Sequence, residues 1–214
     1  MDRIAEEIEE ISALQLETIA DSIQRIGFTC TDCGACCRSE TAEIDHSALV
    51  LPDEIRRIQQ AVDGSWTDVA RPMADGESNE AMDETFEWTL ATDACGDCTF
   101  YDPTLRSHGG CSIYDVRPGI CRTYPFQLVS PQEGVHSSVV DVAGTVRAYE
   151  CEGLGKSIDR ARAVSLAAEL KSRALFELHE ARSLLAAYEP IQDSETLVVH
   201  DSEGAKTPAG VRID

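Results

Sequence analysis

Cys30-Thr31-Asp32-Cys33-Gly34-Ala35-Cys36-Cys37 sets four thiols within eight residues. Cysteines this dense, spaced so that their side chains can turn toward a common centre, form a ligand loop. Gly34, flanked by two of them, gives the backbone the freedom to fold back on one metal or cluster. Five more cysteines follow: Cys95, Cys98, Cys111, Cys121 and Cys151. The reading is a metal-binding protein.

Cys30, Cys33 and Cys36 have the C-x2-C-x2-C spacing of an iron–sulfur loop, in which three thiolates cap corners of a cubane and a fourth arrives from a distant segment. Position 40 is Glu where a bacterial ferredoxin has its fourth cysteine, so ferredoxin is not the match. Adjacent cysteines point to different sides, which separates Cys37 from the other three. Zinc competes, because Cys30/Cys33 and Cys95/Cys98 are paired C-x2-C knuckles that could build a closed, structural four-thiolate site. Nine thiols also allow two centres. Spacing alone does not assign ligands to either.

The 214 residues carry 43% apolar content, enough for one full-sized core. No run approaches the roughly 20 apolar residues of a membrane span. The N-terminus is acidic where a targeting segment would be basic and apolar. The expected location is the cytoplasm, where nine cysteines, an odd number, do not make a disulfide framework. The net charge is −21, with fifteen Arg and three Lys. Molar salt, which shortens the Debye length to about 3 Å, would screen that self-repulsion, so a salt-rich cytoplasm of an extreme halophile is the expected setting. No basic stripe offers phosphates a landing site, which excludes nucleic acid.

Residues 2–26 repeat Ile4, Ile8, Ile11, Leu14, Ile19, Ile23 and Ile26 at near-helical spacing, and Gly27 stands where a helix ends. Pro52-Asp53 opens a second helix to Val62, with Gly64 as its stop. Residues 63–85 read as an acidic surface excursion, and Phe86–Leu90 as a half-buried strand. Thr99–Tyr101 and Cys111–Tyr114 suggest a hairpin closed by Gly109-Gly110. Pro118 and Pro125 predict a rigid loop presenting Cys121. Phe126–Val129 and Ser138–Val142 read as strands around a Pro131/Gly134 turn. A long helix opens after Ser157-Ile158-Asp159 and closes at Pro190, with Ala161, Val164, Ala168, Leu175, Leu178, Leu185 and Tyr188 on its apolar face. The expected fold is α+β: a single cysteine-cluster domain over 1–189 with short strands, packed by its N-terminal and C-terminal helices. Residues 190–214 form a tail, either loose or an appended hairpin around Thr196–His200.

His108 lies three positions before Cys111 and is a turn residue or a ligand; His46, His136, His179 and His200 show no ligand spacing. Arg117 and Arg122 bracket Cys121, as partners either of a net-negative cofactor or of carboxylates.

Taken together, Cys30-x2-Cys33-Gly34-x-Cys36-Cys37, Cys98-x-Phe100, Cys111-x-Ile113-Tyr114-x2-Arg117-Pro118-x2-Cys121-Arg122-x-Tyr124-Pro125 and Cys151-x-Gly153-x-Gly155 resemble the CxxCxxCC cysteine-cluster family of YkgJ-like zinc- or iron-chelating proteins. The resemblance spans roughly residues 28–155. It implies a metal domain with Cys30, Cys33, Cys36, Cys37, Cys98, Cys111, Cys121 and Cys151 as ligands, leaving Cys95 surplus, and Glu152 departs from the proline expected there. Flagellin lysine N-methylases are similar to the same family, which keeps S-adenosylmethionine-dependent methyl transfer as a third reading, although Gly153-x-Gly155 is a poor nucleotide loop. The leading expectation is an iron–sulfur protein, an electron-transfer or oxidoreductase component with a 4Fe-4S cluster and a redox or protein partner. The alternative is a structural zinc-binding interaction module.

Overall fold

The computed structural model describes residues 3–39, 48–73, 84–105, 108–129, 138–191 and 196–213. The Pro131/Gly134 turn, His46, His136, and residues 74–83 of the expected acidic excursion lie outside them. In chain order the elements are α1 (Arg3–Ala13), α2 (Leu16–Ile26), β1 (Leu49–Val50), α3 (Pro52–Val62), α4 (Trp66–Val69), β2 (Ala70–Pro72), β3 (Glu84–Thr85), β4 (Trp88–Leu90), α5 (Gly119–Thr123), β5 (Phe126–Leu128), β6 (Val139–Ala143), β7 (Val146–Tyr149), α6 (Arg160–Ala187), β8 (Val198–Asp201) and β9 (Gly204–Lys206). Helices and small sheets of short strands make the fold α+β. The chain forms two compact units. The first comprises Met1–Cys36, Pro103–Gly110 and Gly119–His179, and the second comprises Cys37–Asp102, Cys111–Pro118 and Glu180–Asp214.

In the first unit β7 is the central strand of an antiparallel sheet, between β5 and β6. Ile19 and Ile23 of α2, Phe126, Val146 and Leu166 are buried in one core with Ile11 of α1. The isoleucine repeat is not one helix: it breaks at Leu14-Gln15, where Gln15 is extended at φ −82 and ψ 137. A straight helix would carry its two halves past a three-stranded sheet; with the break, Ile11 of α1 joins the core that Ile19 and Ile23 of α2 enter. Lys171 of α6 secures this corner by donating to the carbonyls of Ser12 and Leu14, both at 2.7 Å, which satisfies acceptors left open at the α1 terminus.

The face that α6 buries also differs from the expected one. Ala163, Leu166, Ala167 and Leu170 are buried, whereas Ala161 and Ala168 are exposed and Leu185 is 66% exposed. Alanines at the packed positions let the helix come close to its neighbours, so the closest face is not the bulkiest one. Val164, Leu175 and Leu178 still pack at its margin.

In the second unit Pro52 starts α3 at its first turn, and the Glu54 carboxylate accepts from the Leu51 N–H at 3.2 Å. Asp63, in the left-handed region at φ 51, ends that helix one residue ahead of Gly64. The start of the expected surface excursion is core: Trp66, Val69 and Ala70 are buried, and Trp66 meets Trp88 edge-on at 5.1 Å. The strand expected over 86–90 is shorter, since β4 begins at Trp88, and it is buried throughout because it lies between β1 and β2. Phe86 stays outside it, 45% exposed. Near the C-terminus β8 and β9 form a hairpin, β8 also pairs in parallel with β3, and Val198 and Val199 are fully buried.

Candidate metal centre

All nine cysteines are free thiols. Cys30, Cys33, Cys36, Cys121 and Cys151 belong to the first unit, and Cys37, Cys95, Cys98 and Cys111 to the second.

In the first unit α2 ends at Gly27, whose N–H donates to Ile23 O at 2.8 Å and whose φ is +76. A Cβ there would stand 2.7 Å from Lys156 O, so only glycine lets the chain pass this close. Phe28 and Leu154 then form an antiparallel bridge. Thr29 N donates to Gly153 O at 3.1 Å, Gly155 N to Gly27 O at 3.0 Å, and Thr29 Oγ1 to Ser157 O at 2.7 Å. Gly153 is equally constrained: a Cβ would lie 2.5 Å from Thr29 O. This short ladder lays the segment carrying Cys151 alongside the entry to the Cys30 loop. Gly153 is thus a packing device against Phe28 and Thr29, while Gly155 is needed for its backbone, at φ +72. Glu152, at the position where a proline was expected, accepts a hydrogen bond from Thr31 Oγ1 and ties the same two segments again.

The thiols are also arranged electrostatically. Asp32 N points at Cys30 Sγ at 3.5 Å, and Gly153 N at Cys151 Sγ at 3.4 Å. Burial pushes the Cys151 thiol up from its ordinary pKa. The Gly153 N–H opposes that shift, while charge on Cys33, Cys36 and Cys30 adds to it. Burial likewise raises Cys30; the Asp32 N–H lowers it, and the Asp32 carboxylate, 3.6 Å from the sulfur, raises it again. Ionised together, these four thiols would repel one another, and a cation bound among them would offset that repulsion. Tyr124 stands at the same place: burial first, then charge on Cys151, Cys36 and Cys33, drives its phenol far above the ordinary value, and its hydroxyl donates to Glu150 O.

The backbone of Gly34, at φ +72, is buried beneath the one-turn helix His108–Gly110, where a Cβ on Gly109 would lie 3.3 Å from Gly34 N. His108 is therefore on a turn that packs against the ligand loop. Cys121 is not on an irregular loop: it lies in the short helix α5, whose end precedes a cis Tyr124–Pro125 bond. Arg122 Nε is 3.7 Å from Glu169.

In the second unit Cys98 N donates to Cys37 O at 2.9 Å, and Cys98 also bridges to Thr92. Tyr101 N returns to Cys98 O at 2.9 Å and Tyr101 pairs with Cys111, which is the hairpin expected there. The Asp93 carboxylate accepts from Cys95 N at 2.8 Å and Asp97 N at 3.1 Å, shaping the C-x2-C loop, while Ser39 Oγ donates to Cys95 O at 2.7 Å. Arg117 is 3.6 Å above the Tyr114 ring and donates to Tyr114 O.

Among the described residues no three Cys, His, Asp or Glu side chains stand close enough to share one ion. The donor set nonetheless suits a thiophilic metal: sulfur side chains, backbone N–H groups aimed at two of them, and a backbone frame fixed by glycines. The sequence could show the cysteines, but not the N–H donors of Asp32 and Gly153. The one trace of the latter was the pair of glycines after Cys151.

A family model, CxxCxxCC, described as "Putative zinc- or iron-chelating domain", matches residues 29–152, more than half of the chain. No curated protein and no solved structure matches. Among the described residues no helix is long and apolar enough to cross a membrane.

Proposed function

Because the chain belongs to the CxxCxxCC family, we propose that Cys30, Cys33, Cys36 and Cys151 hold an iron–sulfur cluster used to exchange electrons with a protein partner. The observation that carries this reading is the Phe28–Leu154 ladder, which brings a fourth thiol from a remote segment to a C-x2-C-x2-C loop. When bound, such a cluster supplies one-electron chemistry. The chain's own contribution is to orient the ligands and to set the potential. The N–H groups of Asp32 and Gly153 donate to two ligand sulfurs, which stabilises the more negative, reduced state. Cys30, Cys33 and Cys36 are exposed, within reach of a docked partner. Protein purified without oxygen is expected to be brown, to bleach on reduction and to contain iron and sulfide; colourless protein with stoichiometric zinc overturns the reading.

A structural zinc site is the second reading, favoured by the backbone ties joining Cys37, Cys98 and Cys111 in the second unit. It requires that chelation lower the melting temperature, because zinc-binding energy at such a site is folding energy. Chelation that leaves melting unchanged rejects it.

A further inference from the structure

Away from the cysteines, the second unit has an open cleft of about 650 Å³ lined by Arg56 and Gln59 of α3, Trp66 of α4, and Glu203, Lys206 and Arg212 near the C-terminus. Three cations and one carboxylate line it, and Asp53 and Asp201 behind the lining pair with Arg56 and Lys206. Arg56 and Lys206 both bind Glu203, and Lys206 also donates to Asp201 at 2.7 Å. Arg212 is placed differently. Lys206 and Arg212 are directly opposed in an antiparallel bridge, which puts them on one face; Asp201 and Glu203 already pair the buried Lys206 ammonium, whereas Arg212 is exposed. The Arg212 guanidinium lies over Gly204, with Nε and Nη2 3.8 and 3.9 Å from where a Cβ would stand, so the glycine leaves room for it at the rim. Gly210 sits against the Trp66 ring, where its Cβ would be 2.3 Å from a ring carbon, and this fixes the turn that delivers Arg212.

We propose that this cleft binds the oxyanion headgroup, phosphate or carboxylate, of a small molecule. An anion in the cleft takes two parallel N–H donors from the planar Arg212 guanidinium, beside the Arg56–Glu203–Lys206 network that lines the other side. The cleft volume exceeds what one oxyanion fills and falls within the range of small-molecule pockets.

The test is a titration of the full chain with inorganic phosphate and, separately, acetate at constant ionic strength, followed by amide chemical shifts. Saturable binding of either probe is expected, with shifts centred on residues 203–213, and the tighter probe identifies the headgroup. Arg212→Gln should weaken it about tenfold, as loss of a charge-assisted hydrogen bond implies. Arg25→Gln, an equal change of net charge in the first unit, should leave it intact. Arg212 is exposed, so its variant should fold, and far-UV circular dichroism checks this. The proposal is overturned if neither probe saturates, or if Arg25→Gln weakens binding as much as Arg212→Gln.

Discussion

Gly153 tests the centre at the level of a single atom. A Cβ on this residue would stand 2.5 Å from Thr29 O and 2.9 Å from the Phe28 ring, and the nearer atom is backbone. Gly153→Ala should therefore cost about 1–3 kcal/mol of overpacking strain and loosen the ladder that holds Cys151, lowering both the urea midpoint and the metal content. If only stability falls, the ladder serves the fold and not the ligand. Cys33→Ser should remove most bound metal, whereas Cys95→Ser should retain it, because Cys95 is exposed and its bond to Ser39 uses the main-chain carbonyl. Elemental analysis of the two variants decides this, and equal losses would make Cys95 a ligand. The thiols were legible in the sequence because ligand chemistry resides in the side chain. The donors to Cys30 and Cys151 were not, because any residue but proline carries an N–H and only the path of the backbone aims it.

Elements show the same division between what composition reveals and what packing decides. The helix at α3 was readable from Pro52 to Val62, since proline and the residues after it signal a local start. The break between α1 and α2 was not, since Gln15 is an ordinary helix residue and the reason to stop lies in a remote sheet. The β8–β9 hairpin is held to α3 by a network that leaves no local pattern along the chain: Arg56 and Lys206 converge on Glu203. Burial pushes the Glu203 carboxyl up, but hydrogen bonds from Arg56 and Lys206 outweigh it and hold the carboxyl below its ordinary range. A carboxylate lowered on folding stabilises the protein above its unfolded pKa, about 4.3, and loses that contribution as the pH falls through its folded value. Glu203→Gln should therefore destabilise the chain at neutral pH and make acid unfolding shallower below pH 4.3. The loss should be about 1 kcal/mol, a figure kept small because the side chain is 36% exposed and solvent screens the pair. Parallel denaturation curves for the two proteins between neutral and acid pH would show that Glu203 contributes nothing.

For the whole molecule, the deciding quantity is 39 acidic residues against 18 basic ones. Exposed ion pairs such as Arg160–Asp21 at 2.5 Å and Arg3–Glu7 at 3.1 Å contribute about 0–1 kcal/mol each, and salt weakens them. Salt also screens the far more numerous repulsions among unpaired carboxylates, and with a net charge of −21 the second effect should dominate. The Debye length falls from about 10 Å at 0.1 M to about 3 Å at 1 M, so most of the gain should come below molar salt. The urea midpoint is accordingly expected to rise steeply with potassium chloride over this range and then level off. An isosmotic series in sucrose, which is excluded from the surface but screens nothing, separates charge from general preferential exclusion. A steep response to chloride with a weak one to sucrose supports an acidic surface adapted to a salt-rich medium. Matching responses would mean that self-repulsion is already absorbed within the fold, and that the acidic composition has some role other than tolerance of salt.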